Sequence, residues 1–315
     1  MDFTEHFYRN FQLETMKKLI LSSILLLCTV VVSAQDADSV KITREGTLGV
    51  NFANVGLSNW AAGGENSLSI GTVYYTKYTK EKGPQKWVHQ IDFALGGAKV
   101  GDQEFRKTDD QIVLASSFAH KFKPKWAYSV VGVFRTQLFE GLTFAADPNS
   151  PGDEISTKIS NFLAPGYLNV NVGFTYDPND KFSAQFAPAA GKITFVMDDD
   201  LAANGDFGVT PGENVRYEFG ANIVLATNFE IAENINFKGS ANFFTNYETF
   251  GNIDTNIDLL LTAKVNSWFN ASAGLNLIYD DDILIDQGDG TSSREIQLKH
   301  VINMGLNFNL FRGKN

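Results

Sequence analysis

The sequence predicts an all-β fold, a single antiparallel barrel of about twelve strands that crosses a membrane. Three observations predict it. Apolar and polar residues alternate from Thr47 to Phe311 in runs that mostly hold 11 to 16 residues, longer than the ~5 to 6 residues usual for soluble strands and near the length a tilted membrane strand needs. The connections between runs are alternately compact and long, as in barrels with short periplasmic turns and longer outer loops. Large rings border every compact turn, where a body half apolar and half polar belongs at the edge of a bilayer.

Taken in order, the runs fall near 47–55, 66–78, 87–99, 110–122, 126–138, 162–176, 181–196, 215–229, 235–247, 253–265, 268–279 and 294–311. In 253–265, Ile257, Leu259 and Leu261 share one face, with Asp254 and Asp258 on the other. The compact turns are "TKEKGPQK", "KPK", "DPND", "EIAEN" and "NS", and the long polar connections include 139–161, 197–214 and 280–293. The rings expected at the membrane edge are Tyr78, Trp87, Phe122, Trp126, Tyr176, Phe182, Phe229 and Trp268. A soluble β-sandwich is the alternative architecture. Pro165 and Pro188 fall inside strand-like runs and predict bulges or bends there.

Ahead of the barrel, residues 16–34 ("MKKLILSSILLLCTVVVSA") read as a secretory signal peptide, with two lysines, a short apolar stretch and small residues before Gln35. Residues 1–15 then read as a misassigned N-terminal extension, 35–46 as a periplasmic segment and 47–315 as the barrel. The single cysteine, Cys28, lies within the signal segment, so an exported chain would be held together without disulfides. The net charge of −10 argues against a nucleic-acid partner. The expected address is the outer membrane of a Gram-negative bacterium.

The wet faces of the runs supply the candidate site. Gln90, Asp92, Arg135, Gln137, Arg216, Glu218, Lys238, Asp254, Asp258, Lys264 and Lys299 are expected to line the lumen, with many asparagines between them. Mixed charge with amides suits either a narrow water column for a small polar solute or a lumen filled by its own ion pairs, and twelve strands fall between the filled and porin-sized limits. Three readings follow: a narrow passive channel, a closed barrel acting as a structural or accessory subunit of a larger outer-membrane complex, and, weakest, a lipid-modifying enzyme.

No Walker loop, zinc spacing or nucleophile elbow is present. Neither a catalytic role nor a metal or cofactor is therefore expected. His89, His120 and His300 fall on the lipid face; Ser116 shares that face with His120, but at a spacing too long for a direct hydrogen bond. The acidic runs Asp198–Asp200 and Asp280–Asp282 lack the spacing of a calcium loop and read as solvated outer loops.

Two stretches carry resemblances. "NMGLNFNL", with Asn303, Gly305, Phe308 and Leu310, resembles the final-strand signal of outer-membrane barrels, which implies recognition by the barrel-assembly machinery; Arg312 to Asn315 depart from the pattern by following the last ring. "SNWAAGGENSLS", with Trp60, Gly63, Gly64, Asn66 and Ser67, together with "NFLAPGYL" and "FAPAAGKITF", resembles a family of exported Bacteroidota β-barrels known only as a domain of unknown function. That resemblance implies an outer-membrane barrel and brings no assigned chemistry. The expected partners are outer-membrane lipid, the assembly machinery and other outer-membrane proteins.

Overall fold

Long two-faced strands with few residues between them can satisfy their backbone groups in a membrane only by closing into a ring. The structure, a computed structural model, describes residues 40–55, 66–150, 153–283, 285–286 and 291–311. Its strands are β1 (Val40–Val55), β2 (Ser67–Lys82), β3 (Gln85–Val100), β4 (Arg106–Lys123), β5 (Trp126–Thr136), β6 (Gly141–Ala146), β7 (Glu154–Ser160), β8 (Gly166–Asn179), β9 (Phe182–Phe195), β10 (Val215–Ala232), β11 (Ile235–Asn246), β12 (Asp254–Lys264), β13 (Phe269–Tyr279), β14 (Ile285–Asp286), β15 (Ser292–Ser293) and β16 (Gln297–Phe311). Among the described residues, a short α-helix, α1 (Asp199–Asn204), and a 3-10 turn at Asp206–Gly208 interrupt the pattern.

Twelve strands form a closed antiparallel barrel in the order β1-β2-β3-β4-β5-β8-β9-β10-β11-β12-β13-β16, with β16 returning to β1. The remaining four make two small ribbons, β6-β7 and β14-β15, inside connections that the sequence reads as plain polar loops. The first strand begins at Val40, ahead of the alternation at Thr47. No helix among the described residues is long and apolar enough to cross a membrane.

Four of the five short turns are tighter than the sequence suggests, because ladder pairing runs almost to the tip, while the fifth, read as "NS", spans Val265 to Trp268. Gly83–Pro84, Pro124–Lys125, Asp180–Lys181 and Glu233–Asn234 each join two strands with two residues. Gly83 and Asn234 take positive φ (55° and 61°), the geometry that a two-residue hairpin demands and that these residue types tolerate.

Pro188 sits inside β9, and the register shifts beside it on both sides, between Val172 and Phe174 and between Gly220 and Asn222. A glycine faces the bulge: a Cβ on Gly173 would come within 2.6 Å of Ala187 Cα. Pro165, by contrast, lies in the connection ahead of β8 and not within a strand.

The distribution of apolar mass excludes the sandwich. The buried apolar cluster of Ala164, Val196, Leu201, Ala202 and Val209 lies in the connections at the long-loop end. The barrel wall turns its large apolar groups outward instead; Ile302 is 78% exposed and Met304 64%. Exposed apolar surface on that scale belongs against acyl chains.

Candidate functional site: a charge-bridged lumen

The interior face is fixed by contacts that cross the ring. Lys192 on β9 reaches Asp254 on β12 at 2.7 Å, past the two intervening strands. Opposed residues of an antiparallel pair share a face, so the register carries this assignment around the wall. Glu218 pairs with Lys192, Asn222 with Phe244, Phe244 with Asp254, and Asp258 with Asn276, which pairs with Lys299. Around the other side, Tyr167 pairs with Arg135, Arg135 with Val113, and Val113 with Asp92. Alternation along the same strands places Gln90, Arg216, Lys238 and Lys264 inside as well.

Gln137 lies beyond the end of β5. Its amide donates to the Asn161 and Ala164 carbonyls at 3.0 and 3.3 Å, so it ties the long-loop connections together at the mouth.

Two levels of this interior are bridged. At the long-loop mouth, Lys192 is surrounded by Asp254 at 2.7 Å, Asp280 at 3.1 Å and Glu218 at 3.5 Å. Arg216 joins Glu218 at 3.0 Å and also grips Asp282. Asp280 and Asp282 therefore fold back over the mouth, in contrast to the solvated loop that the run Asp280–Asp282 suggests. Lys299 on β16 meets Asp109 on β4, four strands away, at 3.1 Å.

Lower down, the Lys238 ammonium lies 5.1 Å from the centre of the Tyr75 ring. β2 and β11 are five strand steps apart one way round and seven the other, so this cation–π pair joins nearly opposite walls. Asp92 lies directly across the ladder from Tyr75 and accepts from Gln90 at 2.6 Å.

Amides and hydroxyls fill in between the charges. Asn222 donates to Asn171 at 3.1 Å, Asn276 to Asn256 at 3.0 Å and to Asp258 at 2.6 Å, and Gln185 to Ser129 at 3.1 Å. Oxygens of Glu218, Asp254 and Asp282 lie within 4.8 Å of one another, a spacing a divalent ion can use. Lys192 and Arg216 already stand beside them as counter-charges.

The most connected residue, Lys192, is not among those the alternation places inside. Counted from Phe182, strict alternation puts it with Phe186 on the outer face; the bulge at Pro188 shifts the phase by one, and beyond it Ala190, Lys192 and Thr194 face inward. A proline within a strand-like run carries that signal. Tyr75 is concealed for another reason: an aromatic in a membrane strand reads as lipid-facing.

Outside the membrane, the β6-β7 hairpin is clamped to the α1 connection. Asp198 caps α1 by accepting from the Asp200 and Leu201 amides at 3.2 and 3.3 Å, and it takes a hydrogen bond from Asn161 at 2.9 Å. Lys158 on β7 reaches Asp198 at 2.9 Å and Asp200 at 2.7 Å, while Arg106 holds Glu154. Burial acts to raise the Asp198 carboxyl, but hydrogen bonds from Asn161, Lys158 and Leu201 outweigh it and hold the group below its ordinary value. Lys158 is pushed up by its bonds to Asp198 and then Asp200.

The sign of the pH dependence follows from these directions. The depressed Asp198 stabilises the clamp above the free carboxylate value of about 3.9, and that contribution disappears as pH falls through the lowered folded value. The raised Lys158 stabilises it below about 10.4 and loses this only as pH rises through its higher folded value. Amide exchange across β7 is therefore expected to stay slow through neutral pH and to accelerate on acidification, while the membrane strands remain protected.

On the outer wall, rings gather at the short-turn end. Trp87 packs on Phe118 at 4.4 Å, Phe122 on Tyr128 at 4.5 Å, Trp126 on Tyr176 at 4.7 Å and Phe229 on Phe237 at 5.5 Å. Tyr78 lies 6.2 Å from His89, Phe182 is opposite Thr227, and Trp268 is 6.0 Å from Phe269. Ser116 bonds His89 on the adjacent strand at 3.0 Å, not His120 on its own.

At the closing seam Gly305 lies opposite Asn51, and Phe308 opposite Leu48; Asn303 faces inward beside Ser272, and Leu310 is exposed near the end of β16. Ser67 opens β2, and the Asn66 carbonyl accepts from Gly101 at 2.8 Å. Trp60, Gly63 and Gly64 lie outside the described residues, as does the signal segment.

No curated protein matches the chain. Among solved structures it is similar to the NanC porin (7% identity, 85% of this chain and 99% of that one, TM-score 0.37) and to an outer membrane channel from Pseudomonas putida F1 (10%, 90% and 100%, 0.38). It is also similar to the translocator domain of the autotransporter NalP from Neisseria meningitidis (8%, 96% and 97%, 0.36). Similarities this distant carry no argument about what passes through this barrel. Residues 52–142, from within β1 to the start of β6, match the family model described as "Protein of unknown function (DUF3078)".

Proposed function

We propose that the protein is a closed outer-membrane barrel serving as an anchored scaffold, a structural or accessory subunit of a larger outer-membrane assembly. It reaches that membrane after export directed by residues 16–34, with its last strand presented to the barrel-assembly machinery. One observation carries the reading: side chains from nearly opposite walls, Lys238 and Tyr75, meet in the middle of the lumen. Above them the mouth is bridged a second time by Lys192 and its three carboxylates. Opening a path means separating a desolvated cation from several partners at once, a step that costs several kcal/mol. Catalysis forms no part of this reading.

The clamped hairpin and α1 supply the outward platform that such a scaffold presents. A narrow passive channel for small polar solutes is the second reading, supported by the amides Asn171, Asn222, Asn256 and Asn276 among the lining charges. In that case the mouth pairs part during transport. Planar-bilayer recording of the purified wild-type barrel separates the two. The scaffold reading expects no steady conductance at neutral pH, and a sustained open level would replace it with the channel.

A further inference from the structure

The short-turn rim is electrically lopsided. Residues 80–86 and 121–125, the tips of β2-β3 and β4-β5, carry Lys80, Lys82, Lys86, Lys121, Lys123 and Lys125 against one carboxylate, Glu81. The tips of β8-β9 and β10-β11 carry Asp177, Asp180, Glu230 and Glu233 against Lys181. In a chain of net charge −10, this concentrates positive charge on one sector. The two basic tips are joined, since the Lys121 amide donates to the Pro84 carbonyl at 2.8 Å. Lys86, held by Glu81 at 3.5 Å, and Lys121, opposite Ala127, fall on the inner face of their strands, while Lys80, Lys82 and Lys123 stand opposite Trp87, Gln85 and Trp126 on the lipid side; apart from Lys86, none of the six has a carboxylate within ion-pair distance among the described residues.

The outer wall directly above them is aromatic. Trp87, Phe122 and Trp126 are each just over 40% exposed, and Lys80 lies opposite Trp87 in the ladder, on the lipid side. The hydrogen-bonded pair Ser116 and His89, two positions above Trp87 along β3, places polar groups where this wall is otherwise apolar. In order along the wall stand lysines, rings and a hydroxyl–imidazole pair. That sequence matches a phospholipid lying against the barrel: phosphate at the lysines, the interfacial region at the rings, ester oxygens within reach of the polar pair.

We infer that the β2–β5 sector of the short-turn rim binds the anionic headgroup of a phospholipid in the leaflet it faces. An acidic periplasmic protein would satisfy the lysines, but it would have no use for the lipid-facing rings beside them. The inference rests on the barrel spanning the membrane and is independent of whether the lumen is sealed.

The test is native mass spectrometry of the folded, detergent-purified full chain, titrated with phosphatidylglycerol and separately with phosphatidylcholine. Wild type is expected to retain phosphatidylglycerol at least about fivefold better. Lys121→Gln, Lys123→Gln and Lys125→Gln combined should abolish the preference, whereas Lys181→Gln should leave it intact. Lys80→Gln with Lys82→Gln provides a second variant on the adjoining turn if the triple variant does not fold. Equal retention of the two lipids, or a preference that survives both basic-turn variants, overturns the inference. So does lysine-dependent binding of polyglutamate without any selectivity for phosphatidylglycerol, which would make this rim a protein-docking surface.

Discussion

Replacing Lys192 with methionine is expected to lower the barrel's unfolding free energy by about 3 to 5 kcal/mol. The ammonium has Asp254, Asp280 and Glu218 around it, and its side chain is 10% exposed. Without it, three carboxylates lose a counter-charge at the mouth, where little water reaches to compensate. The cost comes from the stranded acids and not from the lost aliphatic stem, because methionine keeps most of the volume. Adding Glu218→Gln and Asp254→Asn to the same chain should return much of the loss, since removing a whole ionic group is far less damaging than removing one member. Urea unfolding of the refolded barrel in bilayers measures both variants.

A second large effect separates the two faces of one hairpin. Leu259 on β12 points outward near the middle of the strand, and Ser240 on β11 points inward opposite Asp258. Leu259→Arg should cost about 2 to 4 kcal/mol, as a charge does on the lipid side at the bilayer midplane. Ser240→Arg should be nearly neutral, because its guanidinium projects into the lumen with Asp258 opposite and within reach. The two substitutions sit on neighbouring strands at the same height, so depth cannot account for the difference. Heat-modifiable gel mobility together with bilayer refolding yields provides the comparison.

The barrel was legible because period-2 alternation is dictated locally: each strand must offer one surface to lipid and another to the lumen, and residues such as Ile257 and Asp258 record that choice directly. Strand ends were less legible. Pairing at Lys82–Gln85 and at Lys123–Trp126 runs into stretches whose lysines and prolines read as turn. What the sequence could not show was which lining residues meet. Lys192 was hidden by a one-residue bulge, Asp280 and Asp282 by a loop whose return path no local pattern encodes, and the partnership of Tyr75 with Lys238 by the 162 residues of chain between them. Cross-lumen contacts depend on strand order and stagger, both properties of the closed ring. The pairing of Ser116 with His89 was missed in the same way, since only the β3-β4 register sets them opposite each other.

The most direct test of the account is a single-cysteine scan of residues 256–261 in the refolded barrel, each labelled with a fluorophore and challenged with bilayers of brominated lipid. Strong quenching is expected at 257, 259 and 261, with little at 256, 258 and 260. Quenching in the opposite phase, or equal along the segment, would contradict a membrane ring with a charged interior.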